Sequence, residues 1–185
     1  MNKRRIQIRL AIRGDERGII DVVEGTFPQD FNYGKGFDRE KCRRFFRTAL
    51  NDENEIVIVA KQGDKIIGFI HYENKPPTNG TVYLNMIGIS KNMQGQGIGI
   101  KLLIKGDKLA VRYIKEVCGI PNLATIYLST SKDNPVGQRL YLKAGYIHVG
   151  NIPGLVGKGN IELVMLKKVG DVKYKTGLWA KKRKE

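Results

Sequence analysis

Residues 94–99 are Gln94-Gly95-Gln96-Gly97-Ile98-Gly99, and they separate an apolar run that ends at Ile89 from a long helical pattern that begins near Ile100. Because glycine has no side chain, the backbone N–H groups of such a turn can converge on an anion, which the positive end of the following helix dipole also favours. We interpret this stretch, called the glycine turn below, as a phosphate-binding site. A plain turn between a strand and a helix is the alternative.

The spacing of the glycines excludes two common phosphate-binding motifs. The dinucleotide pattern G-x-G-x-x-G requires a third glycine where this chain has Ile100, and the P-loop sequence Gly-Lys-Ser/Thr is absent. The pattern Q-x-x-G-x-G, from Gln94 through Gly97 to Gly99, resembles the pyrophosphate-binding motif of the Gcn5-related N-acetyltransferase (GNAT) family.

A second pattern follows the long helix. Asn134 can cap a short helix, and Pro135 suits its first position. Tyr141 comes seven residues after Asn134, and Gly145-Tyr146 ends the helix. This spacing resembles the second GNAT signature, N-x(6)-Y-x(3)-G-[FY]. The two signatures in this order make the chain similar to the family over about residues 5–168.

Hydrophobic periodicity and chain breakers predict alternating strands and helices. The resemblance implies an α/β fold in the α+β sense, with one domain over residues 1–168 and a basic tail over 169–185. It also implies a splayed, mostly antiparallel mixed sheet of six to seven strands with about four helices. We expect helices to begin near residues 15, 38, 100 and 134, and strands over 6–10, 55–61, 65–73, 81–89, 123–129, 147–152 and 161–167.

The strand before the glycine turn changes its alternation. Val82, Leu84 and Met86 share one parity, after which Ile87 and Ile89 take the other. A β-bulge produces such a switch, and burial of both faces is the alternative. In the GNAT family a bulge here opens a cleft for the pantetheine arm. The resemblance therefore implies that acetyl-CoA is bound by Ile87, Ile89, Gln94, Gly95, Gln96, Gly97, Ile98, Gly99 and Asn134.

Tyr141 is the predicted catalytic residue. Acetyl transfer from a thioester needs a proton for the leaving thiolate, and a tyrosine at this position is the family's usual general acid. We expect Tyr141 to project away from core positions Val136 and Leu140. The alternative is a tyrosine that only packs beside the cleft, and Asn134 likewise can act only as a helix cap.

The general base is not assigned, because Tyr83 and Ser129 stand where relatives often carry glutamate. The alternatives are a water held by Tyr83, Asn85 or Ser129, or proton removal by Glu73 or His71. Cys42 and Cys118 lie outside both signatures and lack metal-ligand spacing, so we expect direct attack by the amine and no metal site.

The composition indicates an ordinary globular chain, with 185 residues, 41% apolar and 28% charged. No apolar run approaches a membrane span, and we expect a cytoplasmic protein without membrane contact. The net charge is +15, and residues 167–185 hold eight Lys or Arg against two acids. The basic tail suggests weak contact with nucleic acid or a ribosome, although a solvated end explains it equally well.

We therefore expect an acetyl-CoA-dependent N-acetyltransferase, monomeric or homodimeric, that acts on a peptide α-amine, a lysine or a small amine. The net positive charge disfavours polyamines slightly. The loop aromatics Phe31, Tyr33 and Phe37 either line an acceptor pocket or fasten the loop to the core. A binding module that docks on RNA or a ribosome without catalysis is the alternative from another class.

Overall fold

The computed structural model describes residues 5–32, 36–74, 80–121, 123 and 125–170. The tail from 171 and the loop residue Tyr33 lie outside these ranges. The strands are β1 (Ile6–Leu10), β2 (Glu55–Gln62), β3 (Lys65–Glu73), β4 (Thr81–Ile89), β5 (Thr125–Ser131), β6 (Ile147–Pro153) and β7 (Ile161–Lys168). The helices are α1 (Glu16–Thr26), α2 (Arg39–Ala49), α3 (Ile98–Glu116) and α4 (Pro135–Lys143), with a 3₁₀ turn over Lys91–Met93.

The predicted elements are present, with small shifts at their ends. Asp38 caps α2 by accepting a hydrogen bond from the Lys41 N–H at 2.8 Å, as its side chain predicts. Helix α3 begins at Ile98, two residues earlier than expected, because the last residues of the glycine turn form its first helical turn. Strand β5 begins at Thr125, two residues later than expected.

One sheet of seven strands runs in the order β1-β2-β3-β4-β5-β7-β6. Among the strands of the described residues, only the central pair, β4 and β5, is parallel, and the other neighbours are antiparallel. The expected splayed and mostly antiparallel sheet is therefore confirmed. The position of β7 between β5 and β6 was not predicted, because strand order depends on pairing between distant segments.

The central pair forms a fork, by which we mean the divergence of β4 from β5 beyond Tyr83 and Tyr127. The two strands pair with each other at three positions, from Thr81↔Thr125 to Tyr83↔Tyr127. Beyond these positions they continue to Ile89 and Ser131 without hydrogen bonds to each other. On the other side of β4, Leu84 lies opposite Tyr72 and Met86 opposite His71, so Asn85 is an extra residue. The bulge predicted from the parity switch is therefore present, and it increases the local bend of β4.

Each face of the sheet is covered by a separate apolar cluster. Helix α3 packs against the face that includes Tyr72, Leu84 and Leu128. Helices α1 and α2 pack against the opposite face, around Phe46 and Phe69. Phe31 is buried in this second cluster and Phe37 packs beside it, with each ring edge-on to an aromatic neighbour. Both side chains thus fasten the loop to the core, and the burial of Phe31 leaves no surface of its ring for a pocket.

A buried carboxylate connects α3 to three other segments of the chain. Asp107 accepts hydrogen bonds from the hydroxyls of Tyr72 (2.7 Å) and Tyr146 (2.9 Å) and from Lys167 Nζ (2.8 Å). A Cβ atom at Gly106 would lie 3.0 Å from the Tyr72 hydroxyl oxygen and 3.2 Å from an Ile70 methyl carbon. The glycine in mid-helix therefore permits the close approach of α3 to β3 that this network requires. None of the helices in the described ranges is long and apolar enough to cross a membrane.

Candidate active site

A cleft of about 620 Å³ occupies the fork between β4 and β5. Its wall combines the open end of β4, the glycine turn, the beginning of α3 and one side of α4. Thr26 and Phe27, at the end of α1, lie at its margin. Among the predicted residues, the following line the cleft: Ile87, Ile89, Gln94, Gly95, Gly97, Ile98, Gly99, Asn134 and Tyr141.

The glycine turn presents backbone at the beginning of α3. Gly95 (φ 75°) and Gly97 (φ 72°) adopt left-handed conformations, and a Cβ atom added to either would meet nothing within 4 Å. The first hydrogen bond inside the helix joins the Lys101 N–H to the Gly97 carbonyl at 3.4 Å. The N–H groups of the first helical turn therefore have no partner inside the helix. An open backbone surface with these donors fits a phosphate or pyrophosphate group.

The glutamine side chains of this turn face its own backbone. Gln94 Nε2 donates to the Ile89 carbonyl at 2.9 Å, and Gln96 Nε2 donates to the Asn92 carbonyl at 3.3 Å. Both bonds hold the turn in shape. Gln96 does not line the cleft, whereas Ile98 lines it although its side chain is buried in the core. In this geometry a ligand would meet mainly the backbone of the turn.

Ile87 and Ile89 lie on the part of β4 that has left β5. Their β3 partners are Ile70 and Gly68, so one edge of this segment is paired while the other faces the cleft. Unpaired backbone N–H and C=O groups at such an edge accept an extended partner. The segment suits a chain that carries amide groups, as the pantetheine arm does.

Asn134 caps α4, as its position predicts. Its Oδ1 accepts from the Gly137 N–H at 3.0 Å, and its Nδ2 donates to Thr130 Oγ1 at 3.3 Å. Asn134 also lines the cleft, so the capping role does not exclude contact with a ligand. The expectation that Val136 is a core residue is wrong: it is 69% exposed and lines the cleft. Apolar spacing alone does not distinguish a core face from a cleft wall.

Tyr141 is buried rather than projecting away from the core. Its side chain is 7% exposed, and its ring packs edge-on to Tyr146 at 5.9 Å between centroids. The Tyr141 hydroxyl makes no hydrogen bond with the described residues. Every enclosed side-chain oxygen among these residues has a partner, so the Tyr141 oxygen is not enclosed. Because Tyr141 lines the cleft, its hydroxyl opens there. Burial, with a smaller contribution from nearby Tyr83, raises the pKa of Tyr141 to about 12. Tyr141 therefore keeps its proton at neutral pH.

The candidates for the general base lie on the opposite face of the sheet from α3. Tyr83 Oη lies 3.3 Å from Ser129 Oγ, and Ser129 lines the cleft together with Asn85. On the side away from the cleft, Asn85 Nδ2 donates to Glu73 Oε1 at 2.6 Å and lies 3.3 Å from His71 Nδ1. None of the described cleft-lining residues is an acid, and the carboxylate of Glu73 is one hydrogen bond behind Asn85.

His71 extends this arrangement away from the cleft. Its Nε2 lies 2.7 Å from Glu55 Oε2, and the possible ligand atoms of Glu55, His71 and Glu73 all lie within 4.8 Å of one another. His71 is fully buried, and its two ring nitrogens face Glu55 and Asn85. This geometry is that of a hydrogen-bonded chain that orients Asn85 and Glu73.

Two cationic side chains at the cleft, Arg139 and Lys143, were not predicted. Both are exposed on α4. The sequence offers no signal for them, because exposed Lys and Arg occur on most helices of this chain. The cysteines lie elsewhere: Cys42 is buried in α2, where burial raises the pKa of its thiol to about 12, and Cys118 donates to the Glu53 carbonyl.

Comparison with known families agrees with this geometry. Residues 21–146 match the family described as Acetyltransferase (GNAT) family. The chain belongs to the GNAT family of acetyltransferases. The matched residues include the bulged strand β4, the glycine turn, Asn134 and Tyr141. All residues that line the cleft lie within the matched range.

GNAT relatives were found by sequence and by structure. The L-2,4-diaminobutyric acid acetyltransferase of Shouchella clausii is 28% identical over 95 residues, which is 51% of this chain and 49% of that protein. The match thus spans about half the length of that relative. A GNAT acetyltransferase from Desulfovibrio desulfuricans superposes with a TM-score of 0.71 at 18% identity, over 89% of this chain and 99% of that one.

A third GNAT protein shares the fold to a similar extent. The acetyltransferase from Streptococcus pneumoniae has a TM-score of 0.69 at 22% identity, over 90% of this chain and 100% of that one. At such identities the likeness concerns the fold. This chain shares that fold over nearly the whole length of both proteins.

Proposed function

We propose that this protein transfers the acetyl group of acetyl-CoA to a primary amine by direct attack, without a covalent enzyme intermediate. The observation that carries the proposal is the fork itself. The glycine turn lies at one end of the cleft. The hydroxyl of the buried Tyr141, which has no hydrogen-bond partner among the described residues, opens into the same cleft between β4 and β5. The shared name of the family supports the reaction class, and the curated relative's name supports a small amine as acceptor.

The residues of the cleft fit coenzyme A in charge and shape. The glycine turn supplies N–H donors for the pyrophosphate, and Arg139 and Lys143 supply positive charge at the rim. The free edge of β4 near Ile87 and Ile89 suits the amides of the pantetheine arm, and Asn134 lies across the cleft from it. When bound, acetyl-CoA supplies an activated thioester.

Tyr141 is proposed to donate the proton that the thiolate needs. Its hydroxyl is protonated at neutral pH because burial raises its pKa to about 12, and it faces the cleft. Asn85 and Ser129 offer polar groups at the fork that orient the amine. Neither group removes a proton at neutral pH, so we propose that the amine is used in its neutral form and that its proton leaves through water at the fork.

The direct route follows from the positions of the thiols. Cys42 is buried in the cluster beneath α1 and α2, and Cys118 follows the end of α3 that is opposite the glycine turn. Neither lines the cleft. A covalent acetyl-cysteine would need a thiol within reach of both the thioester and the amine.

The test is a thiol-release assay with acetyl-CoA and a panel of amines that includes 2,4-diaminobutyrate, polyamines, lysine and peptides. We expect turnover with at least one small amine, with one acetyl group gained per thiol released. Binding of coenzyme A without turnover of any amine would contradict the proposal. Mass spectrometry after acetyl-CoA alone should show no acetylated enzyme, because the mechanism holds no acyl intermediate.

A further inference from the structure

A row of four side chains crosses the sheet at the closed end of the fork. The strand register places Glu55 opposite Glu73, Glu73 opposite Tyr83, and Tyr83 opposite Tyr127. Because residues in register project to the same face, their side chains lie side by side. The residues next to them along the strands, such as Tyr72 and Val82, pack against α3, so this acidic row lies on the other face.

The row combines two carboxylates with two aromatic rings, and its members are held in place. The rings of Tyr83 and Tyr127 lie 5.0 Å apart between centroids. Glu73 accepts a hydrogen bond from Asn85 at 2.6 Å, and Glu55 lies 2.7 Å from His71 Nε2. A carboxylate has about four acceptor positions, so Glu73 can accept more than one hydrogen bond. Glu73, Tyr83 and Tyr127 are half-buried, which keeps part of each in contact with solvent, whereas the Glu55 side chain is only 8% exposed.

The row begins where the proposed chemistry occurs. Tyr83 and Tyr127 form the last paired rung before the strands diverge, and Tyr83 Oη lies 3.3 Å from Ser129 Oγ, which lines the cleft. Independently, the hydroxyl of Tyr141 opens at the same fork from a side chain more than nine-tenths buried. Burial, with contributions from Tyr83 and Glu73, raises the pKa of Tyr127, consistent with the closeness of these groups.

We propose that the acidic row selects a dicationic acceptor, a short diamine whose first nitrogen lies at the fork and whose second, an ammonium, lies between Glu73 and the tyrosine rings. This inference rests on the proposed function and names the substrate class of the same site. Adjacent strands lie about 4.8 Å apart, so a second nitrogen two to four carbons from the first reaches the row. Carboxylates and aromatic faces are the groups that attract organic cations.

The charges close to the bound amine affect its binding more than the net charge of the chain does. The cationic groups that line the cleft, Arg139 and Lys143, lie on α4. Charges more than about 8–10 Å from the acceptor are largely screened at physiological salt. The expectation that the net charge of +15 disfavours polyamines thus gives way to the groups at the acceptor face.

The experiment compares 1,3-diaminopropane with propylamine, which has the same length but lacks the second ammonium, in the thiol-release assay. We expect wild-type kcat/KM to favour the diamine by about tenfold or more, since a hydrogen bond between two charged groups is stronger than one between neutral groups. Glu73→Gln should remove most of this preference through KM. Glu73→Asp should keep part of it. Glu116→Gln, which removes an exposed carboxylate on α3, should leave it unchanged.

Several results would overturn the inference while leaving the proposed function intact. The first is equal kcat/KM for the two amines with the wild type. The second is an equal fall of kcat for both amines in Glu73→Gln, because that result would make Glu73 a proton acceptor and not an ammonium-binding group. Tyr127→Leu supplies a second variant, and it should raise KM for the diamine several-fold by removing a cation–π partner.

Calorimetry separates failure of the inference from failure of the proposed function. Titration of 1,3-diaminopropane into the wild type saturated with coenzyme A should give binding that Glu73→Gln loses. Such binding without turnover supports the acidic row and contradicts catalysis. Absence of diamine binding to a wild type that binds coenzyme A and acetylates monoamines contradicts the acidic row alone.

Discussion

At the scale of single residues, Tyr141 shows how position changes chemistry. A tyrosine in water has a pKa near 10. Here burial raises it to about 12 while the hydroxyl still opens into the cleft. The hydroxyl therefore stays protonated at neutral pH, and it has no hydrogen-bond partner among the described residues, which suits the proposed role as proton donor.

The first prediction concerns the proton of Tyr141. Tyr141→Phe should lower kcat by about 10²-fold, the lower range for a general acid, and change the Kd of acetyl-CoA by less than about threefold. In the wild type, kcat should not fall as the pH rises to about 10, because a pKa of about 12 places loss of the proton above that range. Stopped-flow rates across pH 6–10, with calorimetry for Kd, provide the measurement. An unchanged kcat in the variant would remove Tyr141 as the acid.

The second prediction concerns Gly97. Gly97→Val places a side chain in the open space above the glycine turn and forces a branched residue to φ 72°. The Kd of coenzyme A should rise at least about tenfold, as expected when a charged phosphate contact is lost. Gly154→Val is the matched control, because Gly154 has φ 73°, equally open surroundings and a position in the β6–β7 turn away from the cleft.

Both glycine variants should lose about 1–2 kcal/mol of folding free energy from the left-handed backbone. Their thermal melting temperatures should therefore fall together, and only Gly97→Val should bind coenzyme A weakly. Equal affinity in the two variants would mean that the glycine turn does not hold the phosphate.

At the scale of elements, the beginning of α3 and the exposed side of α4 together form the proposed cofactor-binding surface. The beginning of α3 presents backbone N–H donors, and α4 carries the exposed side chains of Arg139 and Lys143. The proposed acceptor face belongs to different elements, the start of β2, the end of β3 and the starts of β4 and β5. The fork thus separates a cationic side from an acidic side.

The third prediction follows from this separation. Arg139→Gln should raise the Kd of coenzyme A about threefold at low salt, and the difference should shrink as salt approaches about 1 M, where the screening length is about 3 Å. Arg112→Gln on α3 is the control, since Arg112 pairs with Glu116 and lies outside the cleft. A salt-independent difference would assign Arg139 a packing role.

At the scale of the whole molecule, the network around Asp107 connects α3, β3, β7 and the chain just before β6. Three buried or half-buried donors share this one carboxylate. Because β7 lies between β5 and β6, the contact from Lys167 fixes the position of the sheet's second half against α3. The network therefore stabilises the side of the fork that carries β5 and Tyr141.

The fourth prediction tests that role. Asp107→Leu should lower the free energy of unfolding by about 3–5 kcal/mol, because removal of the acceptor leaves buried donors and a cation without a partner. Asp107→Asn keeps one acceptor oxygen and should cost less. Exposed Glu116→Gln should change stability by no more than about 0.5 kcal/mol. Urea unfolding of the three variants gives the comparison, and a neutral Asp107→Leu would contradict the assigned role.

Much of the architecture was predictable because its determinants are local. Strands β3 and β4 have the bounds that alternation predicts, and Asp38 and Asn134 cap the helices that they precede. The parity switch in β4 located the bulge. Periods of two and 3.6 residues, glycines at positive φ and helix caps all depend on neighbours within a few positions.

The amino-acid sequence by itself therefore determined the order of the elements, the glycine turn and the family signatures. The tertiary structure alone decided that β7 pairs with β5, that Val136 is exposed while Tyr141 is buried, and that Glu55, Glu73, Tyr83 and Tyr127 form one row. The reason is physical: strand register joins residues tens of positions apart, and no local pattern specifies which edge of a sheet a later strand will join.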